Sequence, residues 1–227
     1  MRFRFLLLAP LLLVSPALRA ADTVQDKPLP VTKEPFHRPV FENDAIRIID
    51  VQIPEGATCK YHVHEIPSVV VYLTKSSNKS QTWGETDPKK FLDRTLTPGE
   101  SRYAPYDTQP LTHRVTNTSA GIFRVFDIEL LHAKPTKAAA FAALPPQAKP
   151  QWEEKLARMS KVTLPAKGKI EMPADGHARL IVGVSGTVVS GSKPLKWADY
   201  NYLSAKTDLA LMNGGSDEAV ALLLELN

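Results

Sequence analysis

Cysteine is almost absent from this chain: Cys59 is the only one in 227 residues. No intramolecular disulfide can form, so stability has to come from apolar burial. Long apolar runs are scarce as well. The one near the start, Phe5 to Val14, is short and closely followed by Ser15 and Pro16, which makes it a poor bilayer span. Charge of one sign is also lacking. The formal net charge of +4 includes Arg2, Arg4 and Arg19, and without residues 1–20 it falls to +1. Nothing in that balance resembles the concentrated basic face that nucleic acid requires.

What stands at the start reads as an export signal. Arg2 and Arg4 form a positive segment, Phe5 to Val14 an apolar one, and small residues follow. Cleavage after Ala17 or Ala20 is expected, releasing a product without a membrane span into the periplasm or the medium. About 205 residues then remain, enough for one sizeable core or two smaller ones.

Residues 22–40 are rich in Pro, Lys and Thr without periodicity and predict an extended arm. Strand patterns follow at Ala45–Ile53, Val69–Leu73 and Ile122–Leu131, with Pro and Gly between them. The polar stretch Lys75–Arg94 predicts a long hairpin in which Trp83 anchors packing. From Ala133 to Lys161 the composition shifts. An Ala-rich Lys137–Leu144 and the stretch Gln151–Ser160 predict two short helices in a linker. The predicted division is a signal at 1–20, a first domain at 37–131, a helical linker at 132–160 and a second domain at 161–227.

The two strand-rich regions read as one unit used twice. Ile128-Glu-Leu130 and Leu224-Glu-Leu226 lie 96 residues apart, and at that offset Asn117 falls on Asn213 and His113 on Leu209. The unit openings also match, Val51-Gln-Ile-Pro-Glu-Gly against Val162-Thr-Leu-Pro-Ala-Lys-Gly.

The chemistry-bearing motif is His62-Val-His64. Side chains alternate along a strand, so both imidazoles share one face and can clamp one transition metal. His113 sits in a second alternating stretch. In the second unit the matching region, Met172-Pro-Ala-Asp-Gly-His177, keeps one histidine. One live unit and one degenerate unit are expected.

Gly56, the five residues to Tyr61, His62-Val-His64 and the later pair His113 and Asn117 resemble the two motifs of the cupin superfamily. The opening Phe41-Glu-Asn43 followed by Arg47-Ile-Ile-Asp-Val-Gln-Ile is similar to the first strand of small cupins. The likeness covers residues 37–131 well and 161–227 weakly. It implies an all-β, double-stranded β-helix (jelly-roll) fold with two barrels per chain and a metal in the mouth of the first. It departs at the glutamate ligand, where Val69 stands, and at the second motif's Pro-x-Gly, where Tyr103-Ala-Pro-Tyr stands. A three-histidine site is therefore implied, His62, His64 and His113, taking Fe, Mn, Ni, Cu or Zn.

The resemblance implies a metal-dependent oxygenase, isomerase or lyase on a small organic substrate, the alternative being a non-catalytic small-ligand-binding protein. A monomer or homodimer is expected. Asn117 is open between orienting His113 and closing a turn, and its match to Asn213 favours the turn. Cys59, at an odd offset from His62, is expected to face away as a small buried hydrophobe. Tyr72 and Tyr106 are candidates for the pocket mouth. His37, His132 and His177 read as ordinary residues, and Arg114 and Arg124 as salt-bridge partners.

Overall fold

A computed structural model describes residues 27–132 and 140–227. Ten strands come first: β1 (Leu29–Pro30), β2 (His37–Glu42), β3 (Ile46–Ile53), β4 (His62–His64), β5 (Ser68–Tyr72), β6 (Ser76–Thr82), β7 (Leu92–Leu96), β8 (Ser101–Ala104), β9 (Leu111–Asn117) and β10 (Phe123–Leu130). They form two sheets, ordered β1-β4-β9-β6-β7 and β2-β3-β10-β5-β8. The hairpin expected over Lys75–Arg94 is β6 and β7, and Trp83 meets Tyr61 edge to face at 4.8 Å.

Nine strands follow: β11 (Ala148–Glu153), β12 (Ala157–Leu164), β13 (Lys169–Met172), β14 (Ala178–Ser185), β15 (Val188–Ser190), β16 (Lys193–Leu195), β17 (Tyr200–Leu203), β18 (Leu209–Asn213) and β19 (Ala219–Leu226). Their sheets run β11-β12-β19-β14-β17 and β13-β18-β15-β16.

Strand parity places the core. Along β3, Ile49, Val51 and Ile53 point between the two sheets of the first unit. Ile46 and Ile48 point the other way, joining Val69, Val71, Phe126 and Ile128 against Met159, Leu180, Val182, Leu222 and Leu224 of the second unit. A strand apolar on both faces lies between two cores, which is why β3, β5, β10 and β19 read as near-continuous apolar runs. Each such buried side chain contributes about 1.5–3 kcal/mol. The Trp197 indole fastens the same face by donating Nε1–H to the Leu73 carbonyl at 2.9 Å.

The helical linker is corrected. No α-helix occurs among the described residues; Gln151–Ser160, expected to be helical, contributes to β11 and β12 instead. Helix propensity here is weaker than the pairing on offer, because β12 docks along all eight residues of β19 and buries Ala157 and Met159. Pro150 fits because β11 is an edge strand. Strand structure thus begins before residue 161. Residues 137–139 of the other expected helix lie outside the described residues, as does the signal at 1–20 and the start of the arm.

The repeat is visible in pairing and in hydrogen bonds. Asn117 donates Nδ2–H to the carbonyls of Ile53 and Gly121, and Asn213 does the same to Leu164 and Asp217. Each side-chain oxygen then accepts the amide two residues on, from Ser119 and Gly215. Asn117 is a turn-closing residue, as its counterpart indicates.

Candidate metal centre in the first unit

His62 and His64 sit in β4, where the expected alternation puts both on the inner face. Register pairs His62 with His113 of β9. The three residues are buried, and one nitrogen from each lies within 4.8 Å of the others. The Nε2 atoms of His64 and His113 are 3.2 Å apart. Two nitrogens bound at about 2.0–2.1 Å to one zinc-like ion sit about 2.8–3.4 Å apart, from octahedral to tetrahedral geometry.

The far nitrogen of two of the rings is hydrogen-bonded by the protein. The His62 Nδ1–H donates to the Lys60 carbonyl at 2.9 Å, and His113 Nδ1 pairs with the Ser80 hydroxyl at 2.9 Å. His64 Nδ1 lies 3.2 Å from an Asp127 carboxylate oxygen, without an aligned hydrogen bond. Carbonyl and carboxylate neighbours favour the proton on Nδ1, which leaves Nε2 as the ligand atom.

Burial, then the neighbouring His37 and His64 rings, pushes the His62 pKa down to about 2. Burial followed by the adjacent imidazoles also drives His113 well below the ordinary histidine range. Both rings are therefore neutral and keep a lone pair at physiological pH. Burial alone would raise Asp127, but the His64 and His37 rings outweigh it and hold that carboxyl below its usual value. One Asp127 oxygen, Oδ1, is buried with no hydrogen-bond partner. Three buried imidazoles presenting lone pairs to one point, one of them backed by a carboxylate, are a set that a divalent cation would complete.

The structure adds residues that the sequence reading left aside. His37 lines the cavity, with its ring 4.3 Å from that of His62. Its Nδ1 is paired with Glu34 at 2.5 Å, and Glu34 also accepts the amides of Phe36 and Lys60. Asp127 carried a signal, since it is a carboxylate on the inward parity of an apolar strand. His37 lay in a stretch read as an extended arm, where no local pattern pointed inward.

Tyr106 stacks on His64 at 4.7 Å, and Tyr72 also lines the cavity. Cys59 is buried as expected, its thiol pushed up to about 12 by burial. It does not face away, however. Residues 59–61 are not in a strand, so parity fails, and Sγ lies 3.8 Å from His62 Nδ1 while accepting the Val115 amide. Arg124 forms a two-pronged pair with Asp50, whereas Arg114 donates to Gln81 rather than to an acid. His132 is exposed, and His177 is buried in the second unit beside Asp175.

The cavity is about 110 Å³, room for several water molecules or one small organic molecule. Val51, Ile53, Val70 and Val125 give it an apolar floor. In the second unit the same positions are apolar. By register Ala148 replaces His37, Met172 replaces His62, Leu209 replaces His113, and Leu223 falls at Asp127. All four belong to a closed apolar core. The second unit thus packs these positions as apolar core with no polar cluster among them.

No family model matches the sequence, and no curated protein matches it either. Solved structures do. A bacterial pirin, YhhW from Escherichia coli, determined in complex with nickel(II), aligns at a TM-score of 0.60 and 15% identity, covering 84% of this chain and 90% of that one. A cupin 2 conserved barrel domain protein from Leptotrichia buccalis aligns at 0.51 and 9%, covering 84% and 88%. A salicylate 1,2-dioxygenase from Pseudaminobacter salicylatoxidans aligns at 0.57 and 10%, covering 80% and 71%. At these identities the likeness is one of fold: this chain has a cupin fold.

Proposed function

We propose that this chain is an exported two-barrel cupin that holds one divalent transition metal through the Nε2 atoms of His62, His64 and His113 and turns over a small organic molecule beside it. The observation that carries the reading is the buried cluster itself: three imidazoles converging on one point, two of them with Nδ1 hydrogen-bonded by the protein and the third, His64, beside the Asp127 carboxylate. The second barrel keeps the frame and has lost the ligands.

The metal, when bound, would supply Lewis acidity, or dioxygen chemistry if it is iron. The protein's own groups do the rest. His62, His64 and His113 fix the metal on one wall, and the apolar floor limits water. His37 supports catalysis over simple binding. Glu34 holds its Nδ1–H, so Nε2 is the nitrogen left to take or return a proton from a ligand in the cavity. A capture protein would need no such carboxylate-backed base.

The test is turnover by the metal-loaded mature protein, whose intact mass also reports the processed N-terminus. Oxygen uptake and proton exchange are followed with small keto, phenolic and thiol compounds. His37→Ala is expected to lower turnover by about 10²–10⁴-fold with metal content unchanged. Saturable binding without turnover, indifferent to His37→Ala, would leave the non-catalytic binding protein.

A further inference from the structure

Arg102 is the group the metal reading does not use. It lies on β8 opposite Val70, half-buried, and lines the same cavity as the histidines. Its guanidinium donates one N–H to the Tyr106 hydroxyl at 3.0 Å, and Tyr106 in turn stacks on His64. Among the described residues no carboxylate lies within ion-pair distance of Arg102. The other arginines in the central strands differ: Arg47 pairs with Glu42 and Glu129, Arg124 with Asp50, and Arg158 with Glu225.

Charge at the cavity wall is uneven. Asp127 is the one carboxylate lining it and is committed to His64, whereas Arg102 and, at the exposed rim, Arg94 both line it. A guanidinium held away from bulk water without a counter-ion is costly, and its planar fork matches a carboxylate. The space between Arg102 and the histidines suits a molecule with a charged head, with Val70 and Val125 available to its apolar body.

We infer that the ligand of this site is a small organic carboxylate whose head group pairs with Arg102 and the Tyr106 hydroxyl, one aromatic ring away from the metal-holding histidines. The inference rests on the metal-centre reading for what lies at the ligand's other end, and on Arg102 alone for its charge. Arg102 is a binding group that sets specificity for anions over neutral molecules of the same shape.

The experiment is titration calorimetry on full-length mature protein with propionate and benzoate, and with propionamide and benzamide as neutral isosteres. Wild type, Arg102→Gln, Arg102→Lys and His62→Ala/His64→Ala are compared, with metal content measured on each. At least one carboxylate is expected to bind wild type tenfold or more tighter than its amide. That preference is expected to vanish in Arg102→Gln and to survive in part in Arg102→Lys. Equal binding of acid and amide, unchanged carboxylate affinity in Arg102→Gln, or no carboxylate binding to wild type would overturn the inference. Failure of the metal reading looks different: wild type would hold no metal while the acid-over-amide preference still tracked Arg102.

Discussion

Glu225→Ala is expected to destabilise the protein by about 3–5 kcal/mol, the range for breaking a buried ion pair from one side. Glu225 is fully buried on β19 and serves two arginines: Arg158 donates Nε–H to it at 2.7 Å, and the Arg179 Nε lies 3.7 Å from its other oxygen. Arg179 is itself almost inaccessible, and Asp175 at 2.9 Å compensates it in part. Removing Glu225 leaves two buried guanidinium groups facing each other's charge, offset only by Asp175 and by the exposed Glu153, 3.8 Å from Arg158 against the 2.6 Å of Glu42 from Arg47. The equivalent residue of the first unit provides the internal control. Glu129 pairs with Arg47, but Arg47 is partly exposed and has Glu42 at 2.6 Å as a second partner. Burial first, and then the charge of Asp127, raise the Glu129 pKa, so this carboxylate is held at some cost. Glu129→Ala should therefore cost only about 1 kcal/mol. Urea unfolding of both variants checks the contrast, and equal losses would contradict it.

Acid should weaken the metal-free protein well before its carboxylates titrate. His62 and His113 stay neutral in the folded state, whereas in the unfolded chain each charges near pH 6.5. Below that value the unfolded state binds more protons, so stability falls with falling pH, by about 1.4 kcal/mol per unit for each ring. His62 alone gives a loss of about 3 kcal/mol between pH 7.5 and 4.5, and His113 adds to it in the same direction. The window closes for His62 only near its folded value of about 2. Asp127 and Glu34, both held low, add their own losses only below the ordinary carboxylate range. Urea titrations of chelator-treated protein across this range measure the slope, and His113→Gln should remove one proton's share of it. A flat profile above pH 4.5 would show that the rings charge freely in the folded state. Bound metal opposes the same protons, so loaded protein should resist acid until the ion is released.

The metal cluster was legible because its chemistry follows a local rule. His-x-His on a strand needs only alternation to share a face, and His113 lay at the matching position of a second strand. The repeat was legible in matched residues, and Asn117 and Asn213 make the same turn-closing bonds; the double-sheet fold was read from the resemblance. The second layer around the site was not. Glu34 and His37 approach β4 only through the fold, and Arg102 reaches the cavity from β8, a short strand outside the apolar runs. The linker failed for a related reason. Gln151–Ser160 has local helix propensity, but β19 offers an unsatisfied edge that no window of that length contains. Cys59 failed because parity was extended past the end of the strand that justified it.

Metal content of the mature protein, beside a His62→Ala/His64→Ala variant, tests the central claim most directly. After purification without chelator, or after anaerobic reconstitution with Fe(II), Mn(II), Ni(II) or Zn(II), wild type is expected to hold about one equivalent, and the variant none. No metal in wild type under any of these conditions, or an equivalent retained in the variant, would contradict a metal centre built on these histidines.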